Sequence, residues 1–321
     1  MAATTHNVLG AIGNTPLVQL RKVVPPGAGR VVVKLEWANP TGSMKDRMAK
    51  AAIECAEASG RLVAGGTVVE YTGGSTGVSL ALVCAARGYA IEIVSSDAFS
   101  EEKLQTMRAF GANVTVVPSD DKRLTQALFQ SMIRTAAEIS QRPRHWYCDQ
   151  LCNRDAAAGY APLGEEIWRQ TGGEVSAFVQ SVGTSHSLHG VTRALWAHND
   201  RIRIVAVEPA ESAVLAGNPS GAHKIEGIGI GFIPPLWDRA LVNALDAVPT
   251  DEAKEMARRL AREEGIFAGT SSGANVVAAI RVAQELGPSS SVATLMIDSG
   301  YRYLSTDVYR GAPMAASNER E

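Results

Sequence analysis

Thr67-Val-Val-Glu-Tyr-Thr-Gly-Gly-Ser-Thr-Gly-Val78 places a β-branched run, a loop of glycines and hydroxyls, and the start of a helical pattern end to end. A strand that passes through such a loop into a helix leaves backbone amides pointing outward at the strand's carboxyl end. Two further segments repeat the arrangement, Val182-Gly-Thr-Ser-His-Ser-Leu-His-Gly190 and Gly269-Thr-Ser-Ser-Gly273. Around them, apolar runs at Val31–Val33, Thr67–Val69, Ile91–Val94, Val114–Val117, Phe178–Gln180, Ile204–Val207 and Val292–Ile297 read as strands. They alternate with helical patterns at Met48–Ala58, Val78–Arg87, Glu101–Phe110, Leu124–Ile139, Leu188–Ala197, Ala253–Glu263 and Ala274–Glu285. Alternation of this kind predicts an α/β fold of βαβ units with mostly parallel sheets, helices on both faces, and binding loops on one edge. The halves before and after about Tyr147 each carry their own series, so two domains facing one cleft are expected.

The 321 residues are 45% hydrophobic and 20% charged, enough for one large core or two moderate ones. A net charge of -2 gives no bulk reason for nucleic acid or an anionic membrane surface as partner, and points to small metabolites. No apolar stretch reaches the roughly 20 residues of a membrane span, and Met1–Asn7 lacks a signal core, so a cytoplasmic protein is expected. Cys55 and Cys84 read as small buried hydrophobes within helices. Cys148 and Cys152 beside His145 lack a second ligand pair for zinc, so no metal site is expected.

In Asn39-Pro-Thr-Gly-Ser-Met-Lys-Asp-Arg47, a lysine stands beside turn residues and a hydroxyl where a helix opens. Alone, such a run is more often a solvated cap; here it accompanies three anion-binding loops. In order and spacing these segments resemble the fold-type II pyridoxal-phosphate enzymes, most closely the cysteine synthase (O-acetylserine sulfhydrylase) family. The resemblance extends from Ile12-Gly-Asn-Thr-Pro-Leu17 to Asp298-Ser-Gly-Tyr-Arg-Tyr-Leu-Ser-Thr306, and His223-Lys-Ile-Glu-Gly-Ile-Gly-Ile-Gly-Phe-Ile-Pro234 is its most specific stretch. It implies a tryptophan synthase β-like architecture: a smaller domain of residues 37–148 with 1–12 associated, a larger one of 13–36 and 149–310, and a disordered tail at 311–321.

The resemblance also implies roles. Lys45 holds pyridoxal phosphate as a Schiff base and is the catalytic residue, while Asp46 and Arg47 read as structural ion pairs. Gly183, Thr184, Ser185, His186 and Ser187 form the phosphate cup, where the family has Gly-Thr-Gly-Gly-Thr. If the two replaced glycines supplied positive φ, Ser185 and His186 are strained; His186 either reinforces the phosphate or faces the substrate entrance. Thr72, Gly73, Gly74, Ser75 and Thr76, with Gln150, hold the substrate carboxylate. The family has asparagine at the place of Ser75, bonded to the ring hydroxyl oxygen, and serine at the place of Gly73. Asn153 continues the match, and Arg154-Asp155 breaks it as a solvated loop or a selector of the second substrate. Ser271 faces the pyridine nitrogen, and Gly227 with Gly229 gives a mobile loop that closes over the substrate amine.

A neutral hydroxyl at that nitrogen makes a weaker electron sink, which favours expulsion of a β leaving group over transamination. The resulting expectation is β-replacement on an O-activated L-serine: O-acetylserine and sulfide giving cysteine and acetate. Specialised β-replacement with O-phosphoserine, or of the cystathionine β-synthase or diaminopropionate synthase kind, is the alternative, and a serine/threonine dehydratase a lesser one. The family implies a homodimer, with serine acetyltransferase as a possible protein partner besides the amino-acid substrate and a small nucleophile.

Overall fold

The structure, a computed structural model, describes residues 6–121 and 125–310. The expected tail at 311–321 and Leu124, the expected start of a helix, lie outside the described residues. In chain order the elements are β1 Leu17–Gln19, β2 Arg30–Leu35, α1 Lys45–Ala58, β3 Thr67–Tyr71, α2 Ser75–Arg87 and β4 Ala90–Ser96. Then come α3 Glu101–Ala109, β5 Asn113–Val117, α4 Gln126–Ser140, β6 His145–Tyr147, α5 Asp155–Ala158, α6 Ala161–Gln170 and β7 Ala177–Ser181. The chain ends with α7 His186–His198, β8 Arg203–Pro209, β9 Ala244–Val248, α8 Thr250–Arg259, α9 Thr270–Leu286 and β10 Ser291–Met296. All seven expected strands and all seven expected helices are present, with ends shifted by a few residues.

Two sheets result. The four-stranded sheet runs β5-β4-β3-β6 and is parallel throughout. The six-stranded sheet runs β1-β2-β10-β7-β8-β9, parallel except for the antiparallel edge strand β1. Strand β2, early in the chain, is thus hydrogen-bonded to the late strand β10. Its hydrogen-bonded neighbour β10 and the adjacent β7 are buried along their whole length, which explains their unbroken apolar runs: helices cover both faces. One apolar cluster extends from Val68 and Ile93 of the smaller sheet to Phe178, Ile204 and Leu295 of the larger. Helix α1 turns Met48, Ala49, Ala52, Ile53 and Ala56 inward at helical spacing. The close approach of α6 to α7 needs Gly164, where a β-carbon would lie 2.6 Å from the Ala194 methyl.

Beside the active-site edge, four buried ionic groups fix the start of α1. Arg47 donates to both Glu36, at 2.7 and 2.9 Å, and Glu166, at 2.8 Å, and Lys34 pairs with Glu166 at 2.6 Å. Arg47 thus makes the structural pairs expected of it. Asp46 does not: its carboxylate accepts the Thr41 amide at 2.8 Å and hydroxyl at 2.5 Å. Arg154-Asp155, expected as a solvated loop or a selector of the second substrate, lies at the start of α5, with Asp155 paired to Arg61 at 2.5 Å. Cys84 is buried as expected, whereas Cys55 is only half-buried.

Candidate active site

Strands β2, β10 and β7 lie side by side and parallel, so the segments leaving their carboxyl ends converge. After β2 the chain reaches Lys45, the first residue of α1. Its approach is stitched to the end of β10: Met44 N donates to Ile297 O at 2.9 Å, and Ser43 bridges to Asp298. Lys45 is half-buried, and desolvation lowers its ammonium to about 8 despite Asp298, with Arg302 lowering it further. At pH 7 roughly a tenth of such a lysine is the neutral amine, far more than of an ordinary lysine.

After β7, Gly183 opens the loop that enters α7. A β-carbon there would lie 2.5 Å from Gly227 O, so the two loops approach as bare backbone. Ser185 is in the left-handed region at φ 73, as a replaced glycine would be. His186 is not among the positive-φ residues and begins α7, so strain falls on one of the two expected positions. The His186 ring is buried, its Nδ1 is 2.9 Å from Thr184 Oγ1, and Nε2 has no partner among the described residues. Burial first, then the Lys45 charge, lowers His186 to about 4, so the ring is neutral near neutral pH. Ser187 Oγ accepts from Gln180 Nε2 and keeps its proton to donate.

The loop after β3 faces this group. A β-carbon on Gly73 would lie 2.6 Å from the Phe99 ring; Gly74 takes φ 144 and rests on the Lys103 stem. Gly74 N donates to Thr72 Oγ1 at 3.0 Å, and Thr76 Oγ1 donates to Gln150 Oε1 at 2.8 Å. Gln150 is brought to the loop as expected: its amide nitrogen donates to Tyr71 O at 2.8 Å and its backbone N to Glu70 at 2.9 Å. Asn153 supports the same corner through Cys148 O at 2.9 Å. Ser75, the first residue of α2, accepts from Arg302 Nη1 at 3.1 Å and donates to Asp298 Oδ2 at 3.4 Å. Ser271 is buried in the first turn of α9, where neither Gly269 nor any other side chain caps the helix. Gly227 stands at φ 88 in the loop against Gly183.

Two residues at the centre had not been singled out for chemistry. Asp298 is buried, accepts the Tyr303 hydroxyl at 2.9 Å, and burial raises its carboxyl above the usual range. Arg302 reaches Ser75 and Thr41 O. The signal for Asp298 lay in the sequence: it directly follows the apolar run Val292–Ile297, at the edge where the loops gather.

An anionic group with an aldehyde fits these residues. Ser181 Oγ, His186 Nε2, Thr270 Oγ1 and Asp298 Oδ1 are buried polar atoms without partners among the described residues. They end β7, follow β10, or open α7 and α9, helices whose N-termini carry no side-chain cap. Such N-termini favour negative charge, and Lys45 supplies the amine. Among the described residues no group of three or more potential ligands could hold a metal ion, and no helix is long and apolar enough to cross a membrane.

Two mostly parallel sheets, with a lysine of lowered basicity among the loops at their edges, fit an enzyme that works through a carbonyl cofactor. The chain belongs to the pyridoxal-phosphate dependent enzyme family, whose pattern it matches over residues 8–298. A cysteine synthase of Staphylococcus aureus is 40% identical over 305 residues, covering 94% of this chain and 96% of that protein. A crystal structure of cysteine synthase from Entamoeba histolytica superimposes with TM-score 0.89 at 35% identity, covering 97% of this chain and 93% of the other. That of an O-ureido-L-serine synthase gives 0.91 at 33% identity, covering 98% of each. The chain is thus a pyridoxal-phosphate enzyme of the cysteine synthase type.

Proposed function

We propose that this enzyme catalyses β-replacement on an O-activated L-serine, with O-acetylserine and sulfide giving cysteine and acetate. The observation that carries the proposal is Lys45, lowered to about 8 among uncapped helix N-termini. Kinship with the staphylococcal cysteine synthase supports it. Pyridoxal phosphate, when bound, supplies an electron sink for the pair left at the substrate Cα.

In this reading Lys45 would hold the cofactor aldehyde, and its amine, when free, would take the Cα proton. The amides of Gly183 to Ser187 hold the phosphate, with the hydroxyls of Thr184 and Ser187. The Thr72 to Thr76 amides and Gln150 hold the carboxylate, the Gly227 loop covers the amine, and Ser271 faces the ring nitrogen. Acetate leaves with the Cβ–O electron pair, hydrosulfide adds its sulfur to Cβ, and Lys45 returns a proton to Cα. The same reading divides the chain into residues 37–148 and residues 13–36 with 149–310, and expects a cytoplasmic homodimer. A specialised β-replacement is the second reading, favoured by Ser75: its hydroxyl is already engaged by Arg302 and Asp298.

Borohydride reduction followed by peptide mapping should place the pyridoxyl group on Lys45, and an adduct on Lys34 or Lys224 would overturn the assignment. A mass-spectrometric screen of O-acetylserine, O-phosphoserine, serine and threonine against sulfide and other nucleophiles tests the reaction. Cysteine from O-acetylserine and sulfide supports the first reading; preference for phosphoserine or another nucleophile supports the second. Pyruvate or ketobutyrate from free serine or threonine, without any nucleophile, would replace both with a dehydratase.

A further inference from the structure

Lys103 of α3, on the four-stranded side, meets Glu226, in the connection between β8 and β9 on the six-stranded side, at 2.5 Å. Their side chains are 5% and 28% exposed, so this is a largely buried pair between segments that share no sheet. Both ends touch site loops. The Lys103 stem lies against Gly74, whose φ of 144 leaves no room for a side chain, and Glu226 directly precedes Gly227, which backs onto Gly183. The Lys103 ammonium also sits 4.8 Å over the ring of Tyr303, whose hydroxyl donates to Asp298.

The Glu226 loop is anchored on either side of the pair by buried Ile225 and Ile228, and Lys224 N donates to Thr250 Oγ1 at 3.2 Å. Gly227, Gly229 and Gly231 all take positive φ. Within it, Gly229 N donates to Val182 O at 3.1 Å and Gly229 O contacts His223 at 2.8 Å. A charge pair of low exposure restrains such a segment strongly, because opening it strands an ammonium away from water.

We propose that Lys103 and Glu226 are positioning residues that latch the carboxylate-binding loop to the amine-covering loop, and thereby set how long an amino acid stays bound. This rests on the reading that the Thr72–Thr76 and Gly227 loops hold the substrate. The latch makes no contact with reacting atoms; it closes the gap on whose two sides the substrate's carboxylate and amine are held.

The test uses holoenzyme and L-methionine, which lacks a β leaving group, with binding followed by the cofactor absorbance. Lys103→Met keeps the stem against Gly74, and Glu226→Gln keeps the shape. Each should raise the dissociation constant about tenfold and speed deuterium uptake in residues 224–231, the double variant should do no worse than either single one, and Lys103→Arg should restore tight binding. Independent effects that multiply in the double variant, or unchanged uptake and affinity, would overturn the latch. Gln150→Ala separates the underlying reading. If it weakens binding while the latch variants do nothing, the latch alone fails; if it too has no effect, the carboxylate assignment falls and the latch with it.

Discussion

At Ser185 the backbone takes a left-handed conformation that costs a residue with a β-carbon about 1–2 kcal/mol. Ser185→Gly should relieve this but loosens the unfolded chain, so stability of the cofactor-free protein should rise by no more than about 1 kcal/mol. Ser185→Val should lower it by about 2 kcal/mol, read from denaturant midpoints. His186 gives a pH signature. Its folded value of about 4 lies below the 6.5 of an unperturbed ring, so between those values the unfolded chain binds the extra proton and stability falls as pH falls. His186→Gln should flatten that part of the curve. Both departures from the family's glycines were visible in the sequence; that only Ser185 bears the strain was not, because the helix begins between them.

Helix α1 shows how a packed element places a reactive residue. Two positions after Lys45, Arg47 is clamped by Glu36 and Glu166, so Arg47→Met should cost about 3–5 kcal/mol by stranding buried carboxylates, measured by denaturant unfolding. Glu166 is held down to about 2, Arg47 and Lys34 outweighing its burial. Its contribution is therefore present above the usual glutamate range and lost as pH falls toward 2. Lys34 is itself pulled below its ordinary value by burial, so that pair stabilises less than the carboxylate alone implies. Glu166→Gln should remove this acid sensitivity while lowering stability at neutral pH. Elements with long, uniform patterns were legible in the sequence. Those not expected are short or mixed: β1 and β6 have three residues each, β9 interrupts its apolar residues with Asp246, and α6 carries Pro162 and Gly164. Arg302 gains its meaning through Ser75, more than two hundred positions away, a relation local patterns do not encode.

For the whole molecule, a cofactor that engages groups from both sheets must stabilise their union. Stripping it with hydroxylamine should lower the melting temperature, and added pyridoxal phosphate should restore it in a concentration-dependent way. At a thousandfold excess over its dissociation constant the gain is about 4 kcal/mol. Equal melting with and without cofactor would contradict the site. The pairing of Arg30–Leu35 with Ser291–Met296 has a different consequence, for a chain being made on a ribosome. The strands of the smaller sheet emerge within one continuous stretch and can pair early, but Val31, Val32 and Val33 wait for a partner roughly 260 residues further on. At ordinary elongation rates that wait is roughly 15–50 s, during which β1 can cover one hydrogen-bonding edge of this apolar strand while the other stays open. Residues 30–35 thus keep an edge that a chaperone can cover, and slow synthesis lengthens its exposure.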